Sequence, residues 1–220
     1  MLSRKFTLSL VILASMVGGG ACIQLFKNDL DMIFGTPPRQ VGDVLYGKFD
    51  LDDVHTVVIS KSPGDRAEFV RRQDIWRMVD PKQDRADYSI LQTIVYFSRH
   101  LQVEDVMRRK DITLEEAGMR ASSTYEGRYN ITLRDSSQNT LADYRLGRRT
   151  AWHRLNEKDG NLIETFFVRP GEDSLDDHIY VCSAPEKLKT SVRQILDRGL
   201  SRLRDHHPLL FDQQGIADIT

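Results

Sequence analysis

Two cysteines in 220 residues are too few for a disulfide framework or a cysteine-rich zinc site. Excess positive charge is missing too: 31 Lys and Arg face 32 Asp and Glu, for a net charge of −1. A general polyanion binder needs a basic surplus, so nucleic acid is not the expected partner. The chain has no Gly-x-Ser-x-Gly elbow and no glycine-rich phosphate loop followed by Lys-Ser/Thr. None of the six histidines, at 55, 100, 153, 178, 206 and 207, falls in a His-Glu-x-x-His pattern, which excludes a zincin. What is present is an ordinary folded composition. Apolar residues at 40% and charged residues at 29% exclude a disordered chain, and the length suits one domain or a core with an appendage.

The longest uncharged run, Phe6 to Phe26, covers 21 residues. About 20 apolar residues in a helix cross a hydrocarbon core. Arg4 and Lys5 precede the run, while Lys27, Asp29 and Asp31 follow it. The positive-inside rule leaves residues 1–5 as a cytoplasmic tip and everything after Lys27 outside, a single-pass topology in a bacterial cytoplasmic membrane. Two other readings deliver the chain to the same side. A signal peptide could be cleaved after the small residues Gly18 to Ala21, or Cys22 could be the lipidated first residue of a lipoprotein. Ala14, Gly18 and Cys22, spaced by four, would put small side chains on one helix face and let two membrane helices pack. The simpler reading, ordinary small residues of a signal segment, is preferred.

Residues 27–48 read as a tether, with Gly35, Pro37, Pro38 and Gly42 and no apolar period. The folded region is expected from Phe49. Val54 to Ser60, Ala67 to Arg71 and Ile75 to Val79 read as strands around a Ser62-Pro63-Gly64-Asp65 turn. Asp87 is a candidate N-cap for a helix over Tyr88 to Leu101, with Ile90, Leu91, Ile94, Val95, Phe97 and Leu101 at helical spacing. Thr113 to Glu116 fits a capping box closed by Gly118. Short segments then recur with turn signals: Tyr129 to Arg134, Thr140 to Leu146 ending at Gly147, Thr150 to Leu155, Glu164 to Val168 and His178 to Cys182. That rhythm predicts an antiparallel sheet. A second helix is predicted over Glu186 to Arg204. Leu188, Val192, Ile195, Leu196 and Leu203 form its apolar face, and Lys187, Lys189, Arg193, Arg198, Arg202 and Arg204 a solvated polar side.

Candidate chemistry is sparse. Asp205, His206 and His207 could approach a metal, but adjacent helical residues diverge, so an exposed helix end is preferred. Glu172, Asp173, Asp176 and Asp177 offer oxygens for calcium without the spaced loop order, so a solvated hairpin is preferred. Cys182, in a strand with no placed base, reads as a small buried hydrophobe. Trp76 and Trp152 read as core or half-buried strand residues.

Phe49-Asp50 with Val54 and Val57 is echoed 162 residues later by Phe211-Asp212 with Ile216 and Ile219. The echo suggests that residues 212–220 start a second, truncated repeat. The region from Phe49 to Thr220 resembles the bacterial domain of unknown function numbered 4340. The resemblance is carried by Phe49-Asp50 with Val54-His55-Thr56-Val57-Val58-Ile59, and by Trp76 ahead of Pro81 and Asp87. Gly118 ahead of Tyr129-Asn130-Ile131-Thr132-Leu133, and Leu146-Gly147 leading to Ile179-Tyr180-Val181, complete it. It implies an α+β fold: an N-terminal membrane helix, then an antiparallel sheet packed with two main helices, the α+β domain occupying residues 49–211. It also implies envelope protein partners, including ABC-type transport components linked to gliding motility. It supplies no catalytic residue and no cofactor.

The sequence thus points to a membrane-tethered, non-catalytic module that binds or scaffolds envelope proteins, anchored in the cytoplasmic membrane through residues 6–26. The alternatives are an envelope enzyme, which needs convergent titratable groups in a pocket, and a small-ligand carrier, which needs an enclosed apolar cavity.

Overall fold

A computed structural model of the chain describes residues 38–204, apart from 48, 63–64, 74, 121–127, 156–159, 161, 172–176, 186–187 and 189–190. The proposed membrane segment with Ala14, Gly18 and Cys22, the pair His206-His207 and the repeat start at 212–220 lie outside these residues. Among the described residues no helix is long and apolar enough to cross a membrane.

One antiparallel sheet dominates the unit that runs over 39–171 and resumes at 177. Its strands are β1 Thr56–Ser62, β2 Asp65–Arg72, β3 Ile75–Asp80, β4 Asp84–Arg85, β5 Gln102–Arg108, β6 Tyr129–Arg134, β7 Thr140–Leu155, β8 Leu162–Pro170 and β9 His178–Ser183. Their spatial order is β4-β3-β2-β1-β6-β7-β8-β9-β5. Helix α1, Tyr88–Arg99, connects β4 at one edge to β5 at the other. A 12-residue helix is only about 18 Å long, whereas nine strands in a flat sheet span about 38 Å. With its short connecting residues α1 spans the sheet from edge to edge. One continuous core joins them, from Phe69 and Met78 on β2 and β3, past Leu91, Ile94 and Phe97 on α1, to Val103 and Cys182 on β5 and β9.

Local chemistry accounts for α1. Asp87 Oδ1 accepts the amides of Ser89 at 2.9 Å and Ile90 at 3.2 Å, a cap worth about 1 kcal/mol. The apolar stripe Leu91, Ile94, Val95 and Phe97 is buried against the sheet, as its spacing predicts. The Thr113 capping box also forms: Glu116 N donates to Thr113 Oγ1 at 3.1 Å and Thr113 N to Glu116 Oε2 at 2.9 Å. It closes a single turn rather than a longer helix. That turn covers a second, smaller cluster of Ala117, Met119, Phe167, Ile179 and Val181, so β8 and β9 are buried on both faces.

Several expectations are corrected. The folded unit begins before Phe49. Leu45 is buried, Val44 bridges Gln102, and Gly42 N donates to Val103 O at 2.8 Å, so this segment covers the outer edge of β5. Gly147 does not end a strand; β7 runs through it for 16 residues. A Cβ at Gly147 would stand 2.1 Å from the carbonyl oxygen of Ala117, so glycine here admits the Thr113 turn against the sheet. The helix predicted over Glu186 to Arg204 is α2, Val192–Asp197, followed by a 3₁₀ turn over Leu200–Leu203. Gly199, at φ 97°, separates the two, because positive φ cannot continue a right-handed helix. The predicted apolar face survives the break: Val192, Ile195, Leu196 and Leu203 are all buried. Beyond it, Ala86 bridges Arg204 and protects the β4 edge.

Candidate functional site

Arg193 stands on the expected solvated side of the terminal helix, yet it is 2% exposed. Its Nε reaches both carboxylate oxygens of Asp197, at 3.0 and 3.1 Å, and its Nη1 donates to Gly147 O at 2.7 Å. The guanidinium also lies over the Tyr129 ring, whose hydroxyl donates to Asp197 Oδ1 at 2.8 Å. Burial, followed by the hydrogen bond to Asp197, raises the Tyr129 phenol well above its ordinary pKa. The group fastens α2 to β6 and β7. The spacing of Arg193 and Asp197 by four was its only sequence signal.

A second buried polar pair sits under α1. Ser98 Oγ donates to Ile94 O at 2.8 Å and takes a bond from the Tyr144 hydroxyl at 2.7 Å. Burial raises the Tyr144 pKa against the opposing effect of that bond. Cys182 is buried as expected, and burial, then the nearby Glu104 charge, pushes its thiol pKa up. A thiol held protonated is a poor nucleophile, so the buried-hydrophobe reading fits its surroundings.

An open groove of about 610 Å³ gathers Asp52, Asp53, His55, Arg71 and Asp135. Each carboxylate in it completes a local bond. Asp52 pairs with Arg71 at 3.1 Å, and Asp53 Oδ2 accepts the amide of Asp50 at 2.6 Å. Asp135 accepts the amides of Ser137 and Asn139, both at 2.8 Å, and the Asn139 side-chain amide at 2.8 Å. The bond from the Asn139 side chain is the largest cause holding the Asp135 carboxyl below its ordinary pKa; the two backbone amides and the His55 charge act in the same direction. A carboxylate held ionised by donors is a weak general base at neutral pH. The groove gathers turn caps and an ion pair, with His55 beside Asp135.

The surface at the far end of the sheet is different in kind. Strands β7 and β8 continue past their neighbours as a two-stranded arm, in which Arg154 pairs with Ile163 and Leu155 with Leu162. Trp152 is 66% exposed, Leu155 61% and Leu162 63%. Trp76 is buried as expected, but the half-buried place expected for Trp152 is corrected. The register shifts between Arg149 and His153, where Thr150 Oγ1 accepts the amide of Trp152 at 3.2 Å, and no layer covers the arm there among the described residues. The signal available in the sequence was Leu155 and Leu162 on either side of the polar run from Asn156 to Asn161.

A pocket of about 260 Å³ at the root of the arm is lined by Val44, Tyr96, His100, Gln102, Arg154 and Ile163, among others. His100 Nδ1 lies 2.9 Å from Tyr96 O; a carbonyl only accepts, so this nitrogen carries the hydrogen. Arg154 Nη1 donates to Gln102 Oε1 at 2.8 Å and Glu104 Oε1 at 3.0 Å, and Ser183 Oγ donates to the same Glu104 oxygen at 2.6 Å. These bonds tie the arm to β5 and β9. Of the acidic loop, Asp177 is described, and it pairs with Arg169 at 3.2 Å and Arg109 at 3.4 Å; its fellow acids lie outside the described residues. No group of three or more His, Cys, Asp or Glu gathers to hold a metal among the described residues. No family model, curated protein or solved structure matches this chain.

Proposed function

We propose that the chain is a membrane-tethered, extracytoplasmic binding or scaffolding module of a bacterial envelope assembly, of the domain-of-unknown-function 4340 type and without catalytic chemistry. The observation that carries the reading is the β7–β8 arm, which displays three large apolar side chains to solvent. Exposed apolar surface of this kind costs solubility and is characteristic of a face that something covers. The uncharged run at 6–26 supports the anchor, and its charge flanks support a sheet unit outside the cytoplasm. Envelope proteins, ABC-type transport components among them, are the partners this reading assigns.

A protease added to intact spheroplasts tests the placement. The sheet unit should be digested while a tag on Met1 survives. Protection of the sheet unit until the cells are lysed would overturn it. A second reading, an envelope enzyme, is favoured by one observation, the meeting of His55 and Asp135 at the large groove. Its test is His55→Ala: loss of the chain's cellular effect with an unchanged melting temperature would support catalysis there.

A further inference from the structure

The pocket at the root of the arm is built from parts of the chain far apart in sequence. Val44 comes from the entry segment, His100 from the end of α1, Arg154 from β7, Ile163 from β8 and Ser183 from the end of β9. Val44 and Ile163 give it apolar walls. Its cation is held firmly but only in part. Arg154 Nη1 is occupied, by Gln102 Oε1 at 2.8 Å and Glu104 Oε1 at 3.0 Å, while Nε and Nη2 bond no other described residue. Those two nitrogens form the guanidinium edge that a planar carboxylate takes through two parallel bonds. Ser183 Oγ donates at 2.6 Å to the same Glu104 oxygen, which steadies the carboxylate that holds Arg154.

His100 supplies a complementary group. Its ring lies against Tyr96, with centroids 4.2 Å apart, and Nδ1 gives its hydrogen to Tyr96 O at 2.9 Å. In the neutral imidazole Nε2 is then an acceptor, and it bonds no other described residue. The pocket thus offers a two-bond anion edge, a lone-pair acceptor and an apolar wall.

We propose that this pocket binds a small monocarboxylate with a hydroxyl next to the carboxylate and a short branched apolar body. The carboxylate takes the Nε and Nη2 edge of Arg154, the hydroxyl donates to His100 Nε2, and the apolar body meets Val44 and Ile163. Glu104 sets the limit on charge. It already shares Arg154, so a second full negative charge, as on a phosphate dianion, meets repulsion there. The cavity, about 260 Å³, lies just below the usual range for drug-sized ligands, which starts at about 300 Å³, so the ligand is small. Every residue of the site belongs to the sheet unit, and the site needs nothing from the membrane-tethered reading.

The test is isothermal titration calorimetry of the full chain in mild detergent with 2-hydroxy-3-methylbutyrate. Saturable binding with a Kd of about 1 mM or tighter is expected. 3-Methylbutyrate, which lacks the hydroxyl, should bind about fivefold more weakly, and 2-hydroxy-3-methylbutanamide, which lacks the charge, about tenfold more weakly. Inorganic phosphate should also bind more weakly than the hydroxy acid. Arg154→Lys keeps the charge but loses the two-bond edge, and should weaken binding about tenfold. Val44→Phe narrows the pocket at a half-exposed position, and should weaken binding with little change in melting temperature. If the lysine variant does not fold, the phenylalanine variant and the ligand series still decide. No saturable binding of the hydroxy acid up to about 10 mM would overturn the assignment. So would an amide or phosphate that binds as well as the acid, or a folded variant of either kind that binds as tightly as the parent.

Discussion

Replacing Arg193 with alanine should loosen the end of the sheet that α2 closes. The side chain is buried, and three interactions go with it. Losing one partner of a buried ion pair costs about 3–5 kcal/mol when the other is left dry. Asp197 is 37% exposed and can rehydrate, so only part of that penalty applies. Gly147 O loses its donor, at about 1 kcal/mol, and the stacking on Tyr129 adds about 0.5–1 kcal/mol. The combined loss is about 3 kcal/mol. For a domain of this size that lowers the melting temperature by about 6–12 °C. Arg193→Met keeps most of the volume and should lose about half as much, because the stem still packs. Thermal melts of the full chain in mild detergent, followed by circular dichroism, measure both. An alanine variant that melts within about 1 °C of the parent would refute the view that this arginine holds α2 on the sheet.

Ile94→Asp places a charge in the core between α1 and the sheet, where Ile94 is fully buried, and should cost several kcal/mol; an unchanged melting temperature would show that α1 presents another face. Gly147→Ala should force the Thr113 turn off the sheet, because the contact is with a backbone oxygen that cannot rotate away. The expected cost is about 1–3 kcal/mol, and hydrogen exchange should accelerate at Arg148, whose amide bonds Ala117 O. Tyr129, Tyr144 and Cys182 all have folded pKa values raised by burial. Their stabilisation is complete below the ordinary pKa values, about 8.5 for a thiol and about 10 for a phenol. It is lost as pH rises through the folded values. Alkaline titration should thus show unfolding accompanied by the first tyrosinate absorbance of these rings and the first thiol reactivity of Cys182. Ready thiol labelling at neutral pH would contradict this.

The elements legible in the sequence are those where one physical signal acted alone. Helix α1 had a cap and an unbroken stripe. Strands β1, β3 and β6 had alternation or β-branched runs between turn residues. Strand β5 was not foreseen: Glu104 and Asp105 interrupt its pattern, a bulge lies between Val103 and Asp105, and it sits at the sheet edge with only Val103 fully buried. In the sequence Gly147 reads as a strand end because a glycine can be either a breaker or a point of close approach, and only the position of the Ala117 carbonyl decides between them. The sequence puts Arg193 in solvent because a charged residue's burial depends on partners distant in sequence, here Gly147 and Tyr129. The apolar arm was hidden for the opposite reason. Trp152, Leu155 and Leu162 look like sheet residues, and their exposure follows from β7 and β8 outrunning the strands on either side.

The tether is tested most directly by washing membranes that carry the full chain or a chain beginning at Asn28. The full chain should stay in the pellet through repeated high-salt washes. The shortened chain, which lacks the uncharged run, should pass into the wash. A shortened chain that stays in the pellet, or a full chain that washes away, would contradict the account.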